Sequence, residues 1–427
     1  MPEEKKSNPF TSIGSTGLKQ SSGYIDEEWH PKLRGPYGPK VYREMADNSS
    51  AIGAIRYVIR ALVRQVEWRV EPASDDKEAQ DAAEFVESCL IDTSHTFEDL
   101  VSEVLSFLEY GWAYFEIVYK LRKGQTKDPK TRSRYDDGKI GWRKIALRPQ
   151  DTLDKWEFDT DGGLRGFHQY DSYSGKQAYI PIERSILFRT ETFKGNPEGR
   201  SIFRNAVVDY FYLKRISEIE AIGIERDMTG LITMEVPIRI LQQTTDVDRA
   251  LFTSITTMLS QLKRDEREYA LIPPELDQEG KPTGYKLKLL STGGRRQIET
   301  TEVKTYYKTG MLQSVLAQFI QLGMNTTGSF ALASTQTDLF AVALGTFLDI
   351  ISSTFTQYGI NRLMELNKID SECWPSLVHG DLEAPPLAEI GAYIQALAGA
   401  GQLPEDAAIK RKLLEFAKLP QPEKEGE

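Results

Sequence analysis

The spacing of apolar positions changes several times along this chain, and each change marks an element. Ile52, Ile55, Ile59, Leu62 and Val66 recur at helical intervals, after which 66–70 alternates as a strand does. A second helix is predicted to begin at Ser74, where Asp75, Asp76 and Glu78 suit the positive end of a helix. Thr96 with Asp99 three residues on reads as an N-cap ahead of Phe97, Leu100, Val101, Val104, Leu105 and Leu108. Gly111 ends that helix. The strand expected over 112–119 is apolar on both faces except at Glu116, so both faces should be covered.

Residues 120–141 form a polar, strongly basic loop, and 142–190 is dominated by short strands at 142–147, 156–158, 164–170 and 186–188. Asp159-Thr-Asp-Gly-Gly163 has the composition of a hairpin turn between the second and third. An α+β domain over roughly 41–200 follows. Next comes a long helix at 204–227, then strand (231–236), helix (250–262) and strands (269–272, 285–290), and a second long helix at 299–323. Between Thr309 and Asn361 only Asp338 and Asp349 are charged. A membrane-spanning pair is not expected, because Gln313, Gln318, Gln321, Asn325, Ser334, Gln336 and Gln357 should interrupt every window of about 20 residues needed to cross hydrocarbon. A charge-poor but hydrogen-bonding stretch suits the inside of an oligomer better. Residues 387–418 read as a helical hairpin broken at 401–404. Residues 1–40 lack any period and read as an arm, ordered only if a neighbour holds it.

With 427 residues, two or three domains are expected at roughly 150 residues each. Lysine plus arginine minus aspartate plus glutamate is 53 − 63 = −10, which argues against tight nucleic-acid binding through a broad basic face. It leaves open a chain that lets nucleic acid pass without gripping it. Cys89 and Cys373 are far apart and in no CxxC, so neither a disulfide framework nor a structural zinc site is expected. The opening MPEEKKSNPF carries no apolar core of a secretory signal, and the expectation is folding in a reducing cytoplasm. There is no phosphate loop, GxGxxG, HExxH or GxSxG, and His30, His95, His168 and His379 are scattered. Acids at 265–279 could hold Mg²⁺, but the interleaved Arg264 and Arg267 make a solvated face the simpler reading. The chain is therefore expected not to be an enzyme, with no catalytic residue, no cofactor and no metal.

Two stretches, in this order, carry a resemblance. The first is 186–213, ILFRTETFKGNPEGRSIFRNAVVDYFYL, a strand, a G-N-P-x-G-x-S turn and a long helix. The second is 312–366, where a helix ends in Leu-Gly, a Gly-Ser loop follows and a helix of about 30 residues ends in Ile-Asn-x-Leu. Both resemble portal proteins of tailed bacteriophages, in particular the Mu-like branch. The resemblance implies an α/β wing, a long helical stem, a small α/β clip and a helical crown, assembled as a ring that usually has 12 subunits. It implies an arm at 1–40, a wing at 41–203, stem helices at 204–227 and 299–323, and a clip at 228–298. A tunnel loop at 324–336, a long helix and second part of the wing at 337–384, and a crown and tail at 385–427 complete the map.

The resemblance further implies a DNA channel at one capsid vertex of the virion, used for packaging and ejection. Its partners would be double-stranded DNA, the terminase packaging motor, a head-completion or adaptor protein and the major capsid protein, with no membrane. The tunnel loop would present Asn325, Thr326, Thr327, Gly328, Ser329 and Phe330 to the bore, neutral groups that let DNA slide. Lys304 and Lys308, four apart on the second stem helix, would face the channel; each lacks an acid four residues before it. Arg264, Asp265, Glu266, Arg267 and Glu268 would be the clip's partner contact. The rival reading is a structural adaptor or scaffold without a channel.

Overall fold

A computed structural model of the chain describes residues 14–229, 231–263, 284–290, 300–315, 317 and 330–380. The chain divides into two compact units, one holding residues up to 207 and from 309 onward, the other 208–308.

The first unit begins with a strap. Short strands β1 (Gln20–Ser21) and β2 (Tyr24–Ile25) pair with each other, and Ile25 is buried with the aromatic core. Thus residues 14–36 lie on the first unit of their own chain, whereas the sequence suggested an arm waiting for a neighbour. Lys194 pairs with Glu27 at 3.2 Å, and Arg204 grips both carboxylate oxygens of Glu28 at 2.6 and 2.7 Å. Helix α1 (Tyr37–Asn48), unsuspected in the sequence, buries Tyr42, Met45 and Ala46 at helical spacing. Helix α2 (Ser50–Val63) buries Ile52, Ile55 and Ile59 as the pattern predicted; at its end Val63 is buried where Leu62 was expected, Val66 lies past the helix, and its cap Ser49 accepts from the Ile52 amide. Strand β3 (Trp68–Glu71) follows. Helix α3 (Lys77–Ile91) starts three residues later than expected, with Asp76 at its N-cap. The helix expected after Thr96 is broken in two at Leu105, into α4 (Phe97–Val104) and α5 (Ser106–Tyr110).

Strand β4 (Trp112–Leu121) is the centre of this unit. It lies between β5 (Ile140–Arg148) and β9 (Ser185–Arg189), antiparallel to both. One face of β4 sends Trp112 and Tyr114 into the second sheet, β6 (Leu153–Phe158), β7 (Leu164–Asp171) and β8 (Lys176–Pro181). There Tyr114 stacks on Phe167 at 4.9 Å between centroids, Trp112 meets Trp156 edge-on at 5.0 Å, and the Tyr114 hydroxyl donates to the Ile180 carbonyl at 2.8 Å. The other face buries Ala113, Phe115 and Ile117, with Phe115 packed on Phe188. Both faces are covered, as the unbroken apolar run required.

In the second unit, helix α6 (Val207–Thr229) leads in and is followed by β10 (Leu231–Glu235), α7 (Ile238–Gln242) and α8 (Asp246–Lys263). β11 (Lys286–Leu290) pairs antiparallel with β10, and α9 (Thr300–Gln313) leads out. Helix α9 ends at Gln313, ten residues short of the expected end of the second long helix.

Back in the first unit, α10 (Phe330–Phe355) continues through a π-turn at Thr356–Ile360 into α11 (Asn361–Leu366). Residues 330–336, expected as loop, are helical. Phe340, Leu344, Leu348, Ile351 and Phe355 form its buried stripe, and Phe355 meets Trp142 at 5.5 Å. Leu339–Leu366 is long and apolar enough by length and composition to cross a membrane, with mean hydropathy 1.6, so the polar interruptions expected in every window fail here. Its stripe packs on the sheet, while Leu339 and Val342 stay 54% and 70% exposed. The last described strand, β12 (Ser376–His379), pairs with β3 across some 300 residues of sequence.

Candidate channel and docking surfaces

Glycine explains why the G-N-P-x-G turn sits where it does. Gly111 closes α5 in the left-handed region (φ +93°), and Gly199 adopts φ +40° against it. A Cβ on Gly199 would lie 2.2 Å from the Gly111 carbonyl oxygen, so the two backbones touch with no room for a side chain. Around this contact Thr190 N donates to Gly111 O at 3.0 Å, Thr190 Oγ1 donates to Arg200 O at 2.6 Å, and Ser201 Oγ donates to Glu109 O at 2.6 Å. The turn thus fixes where α6 starts.

The same turn carries Glu198, whose carboxylate accepts from Trp156 Nε1 at 3.1 Å. It lines a cavity of about 310 Å³ beneath the strap, together with Glu28, Tyr42, Trp112 and Arg200. Burial pushes the Glu198 carboxyl up to about 7, against which the Trp156 hydrogen bond is a smaller, opposing effect.

In the second unit the two long helices are tied by charge. Lys304 forms an ion pair with Glu220 of α6, and Thr300 Oγ1 donates to the other Glu220 oxygen at 2.5 Å. Tyr212 and Tyr307 stack at 5.7 Å. The sequence reading had Lys304 free to meet a passing phosphate. Its ammonium instead serves an acid 84 residues away in its own chain, a partner invisible to a search four residues back. Lys308, exposed, makes no ion pair among the described residues. Ile219, Ile222 and Ile224 on α6 and Tyr306 on α9 are 58, 47, 42 and 73% exposed, a large apolar display for one subunit.

Helix α8 begins with a cap that the pattern reading missed. Thr245 Oγ1 donates to the Asp248 carboxylate at 2.7 Å and accepts from the Asp248 amide at 3.2 Å, and this bond holds the Asp248 carboxyl below its usual range. The signal, Thr-x-x-Asp, starts in the sequence at Thr245, five residues before the helix was expected to begin. Ile238, Leu241 and Val247 are exposed beside it at 72, 59 and 68%.

Of the expected tunnel loop, Asn325, Thr326, Thr327, Gly328 and Ser329 lie outside the described residues, and Phe330 is the first residue of α10. The expected clip contact Arg264, Asp265, Glu266, Arg267 and Glu268, the acids of 265–279, the strand expected at 269–272 and the crown expected at 385–427 also lie outside them. Among the described residues no group of three or more His, Cys, Asp or Glu is placed to hold a metal. His168 sits beside Glu157 at 2.8 Å and His379 beside Asp349 at 3.1 Å, both local structural contacts.

Two solved particle structures share the fold over nearly the whole chain. The neck of an empty gene transfer agent (GTA) particle, computed with C6 symmetry, aligns at TM-score 0.53 and 13% identity, covering 94% of this chain and 98% of that one. The neck of a native GTA particle, computed with C12 symmetry, aligns at TM-score 0.51 and 12% identity, covering 92% and 95%. A family model described as the portal protein of Mu bacteriophage matches residues 39–413, and with that span of agreement the chain belongs to this family of portal proteins.

Proposed function

We propose that twelve copies of this chain form a ring at one vertex of a virion capsid, through which double-stranded DNA is packaged and ejected. The observation that carries the reading is the exposed apolar surface of α6 and α9, Ile219, Ile222, Ile224 and Tyr306, which a neighbouring copy in a ring would cover. The exposed side of α10 at Leu339 and Val342 makes the same demand. The C12 symmetry of a fold relative supports the subunit number.

In this ring the tunnel loop, Asn325 to Ser329, offers neutral groups to the duplex, and Lys308 supplies one weak, salt-sensitive contact per subunit. Lys304 holds the stem together through Glu220. The net charge of −10 keeps DNA from sticking to the walls. The clip, with its mixed charges at 264–268, docks the packaging motor first and a head-completion protein later, and the major capsid protein surrounds the ring. The role is structural, with no catalytic step assigned to any residue. Electron microscopy of the purified chain tests the reading. Rings with a stain-filled hole are expected, lost on Ile219→Asp with Ile222→Asp; a monomer or an open filament at every salt concentration would instead indicate a channel-less adaptor.

A further inference from the structure

The basic loop remains without a role, and its charges are distributed unevenly. Residues 120–144 hold ten lysines and arginines and three aspartates, 10 − 3 = +7, so the rest of the chain carries −10 − 7 = −17. Half of this loop is built as a rigid floor. Lys120, 6% exposed at its side chain, pairs with Asp92 at 2.8 Å, and Asp92 also accepts from Ser133 Oγ at 2.5 Å and the Arg134 amide at 3.0 Å. Although burial alone would raise the Asp92 carboxyl, hydrogen bonds from Lys120 and Ser133 hold it below its usual range. Arg122 is held between the Phe85 and Tyr135 rings, 5.1 and 4.1 Å from their centroids, and pairs with Asp137 at 3.0 Å.

Four other cations of the loop border open space instead. Arg132, Arg134, Arg143 and Lys144 line an open cleft of about 580 Å³ over that floor. Arg132 donates only to the Thr126 carbonyl at 3.0 Å, and Arg134, Arg143 and Lys144 make no ion pair among the described residues. Thr93 and Ser94 line the same space. Four like charges held around one concavity repel each other, and an anion there relieves the repulsion.

We propose that this cleft binds an acidic polypeptide segment of a partner protein, its carboxylates seated on Arg132, Arg134, Arg143 and Lys144. Guanidinium groups take carboxylates with two parallel hydrogen bonds, which suits an extended Glu- or Asp-rich segment. Concavity decides against nucleic acid. A duplex is a stiff rod that carries its phosphates on a convex surface, and it would bridge the cleft mouth without reaching the floor. A flexible peptide enters.

The test uses the full chain and a fluorescein-labelled synthetic peptide of alternating glutamate and serine, with a labelled duplex oligonucleotide as the competitor class. Fluorescence anisotropy should show peptide binding that weakens as salt rises. Arg134→Gln with Lys144→Gln should weaken it about tenfold or more, as expected for lost charge-assisted hydrogen bonds. Lys40→Gln with Lys176→Gln, an equal loss of charge at exposed sites away from the cleft, should change it less than about twofold. Melting midpoints of both variants should match the parent, since Arg134 meets Asp92 through its backbone amide, which the glutamine keeps, and the Lys120–Asp92 pair is left intact. Absence of peptide binding, equal loss in the control variant, or tighter binding of the duplex than of the peptide would each overturn the proposal.

Discussion

Replacing Glu198 by glutamine should make the first unit more stable at neutral and alkaline pH and leave it unchanged in acid. The side chain is surrounded by Trp156, Tyr42 and the paired Glu28, and burial raises its carboxyl from an ordinary 4.5 to about 7. Below the unfolded value the group is protonated in both states and costs nothing. Between 4.5 and 7 the unfolded chain ionises while the folded one does not, so stability falls as pH rises. Above 7 the penalty is complete. The shift of about 2.5 units at roughly 1.4 kcal/mol each sets a ceiling near 3.4 kcal/mol. Water in the adjoining cavity screens part of it, which leaves about 1–3 kcal/mol.

Glutamine keeps the oxygen that accepts from Trp156 Nε1 and removes the ionisation. Thermal melts followed by tryptophan fluorescence at about pH 3.5, below the unfolded value, and at about pH 8 provide the assay. The variant should melt roughly 2–4 °C higher per kcal/mol at the upper pH and within error of the parent at the lower. Each protein serves as its own reference, so other titrating groups cancel in the double difference. If the gain in melting temperature is the same at both pH values, the Glu198 carboxyl does not titrate in this range and the burial argument is wrong.

Three further outcomes are expected. Gly199→Ala should cost at least about 2 kcal/mol by thermal melting, because the new Cβ must displace the Gly111 backbone and φ is positive; an unchanged melt would mean that the turn shifts freely. A double-mutant cycle of Glu220→Gln and Lys304→Ala should return a coupling of about 0.5–2 kcal/mol, since both groups are partly buried, whereas additive effects would show that the pair contributes nothing. In packaging assays with empty shells, Asn325→Lys with Thr327→Lys should slow DNA uptake while rings still form, and Lys308→Ala should let packaged DNA slip; normal speed with the lysine-loaded loop would remove 324–329 from the bore.

What the sequence made legible was local or doubly determined. The burial of both β4 faces follows from a strand with almost no polar position, and α2 and α4 announce themselves by period and cap. Helix α1 was hidden because Pro36, Gly38 and Pro39 crowd its first turn and read as a break, while only Tyr42, Met45 and Ala46 carry its buried face. The strap was hidden for a similar reason: its few apolar anchors, Leu18, Ile25 and Leu33, are seven and eight residues apart in a polar segment, too sparse to set a period. The pairing of β12 with β3 joins two four-residue strands at opposite ends of the chain, and nothing in either pattern names the other. The early end of α9 at Gln313 lies inside an apolar run that fits a helix and a turn equally well.

Charge was harder to read than apolar pattern, and the structure supplies a reason. Lys120, Arg122 and Lys304 are each taken up by an acid of the same chain, at Asp92, Asp137 and Glu220, and two of these acids come from other elements. Such pairs hold a loop or a helix in place, and they remove the cation from any surface that could meet a partner. Arg134, Arg143, Lys144 and Lys308 stand close to these residues in sequence, with no ion pair among the described residues. Spacing along a helix or loop treats the two sets alike. The fold separates them, because desolvating a cation is tolerated only beside a carboxylate, and the cations left over must stay where water or an anion can reach them. The second set is therefore where binding to an anionic partner is to be sought, and the first is where a substitution should be felt as lost stability.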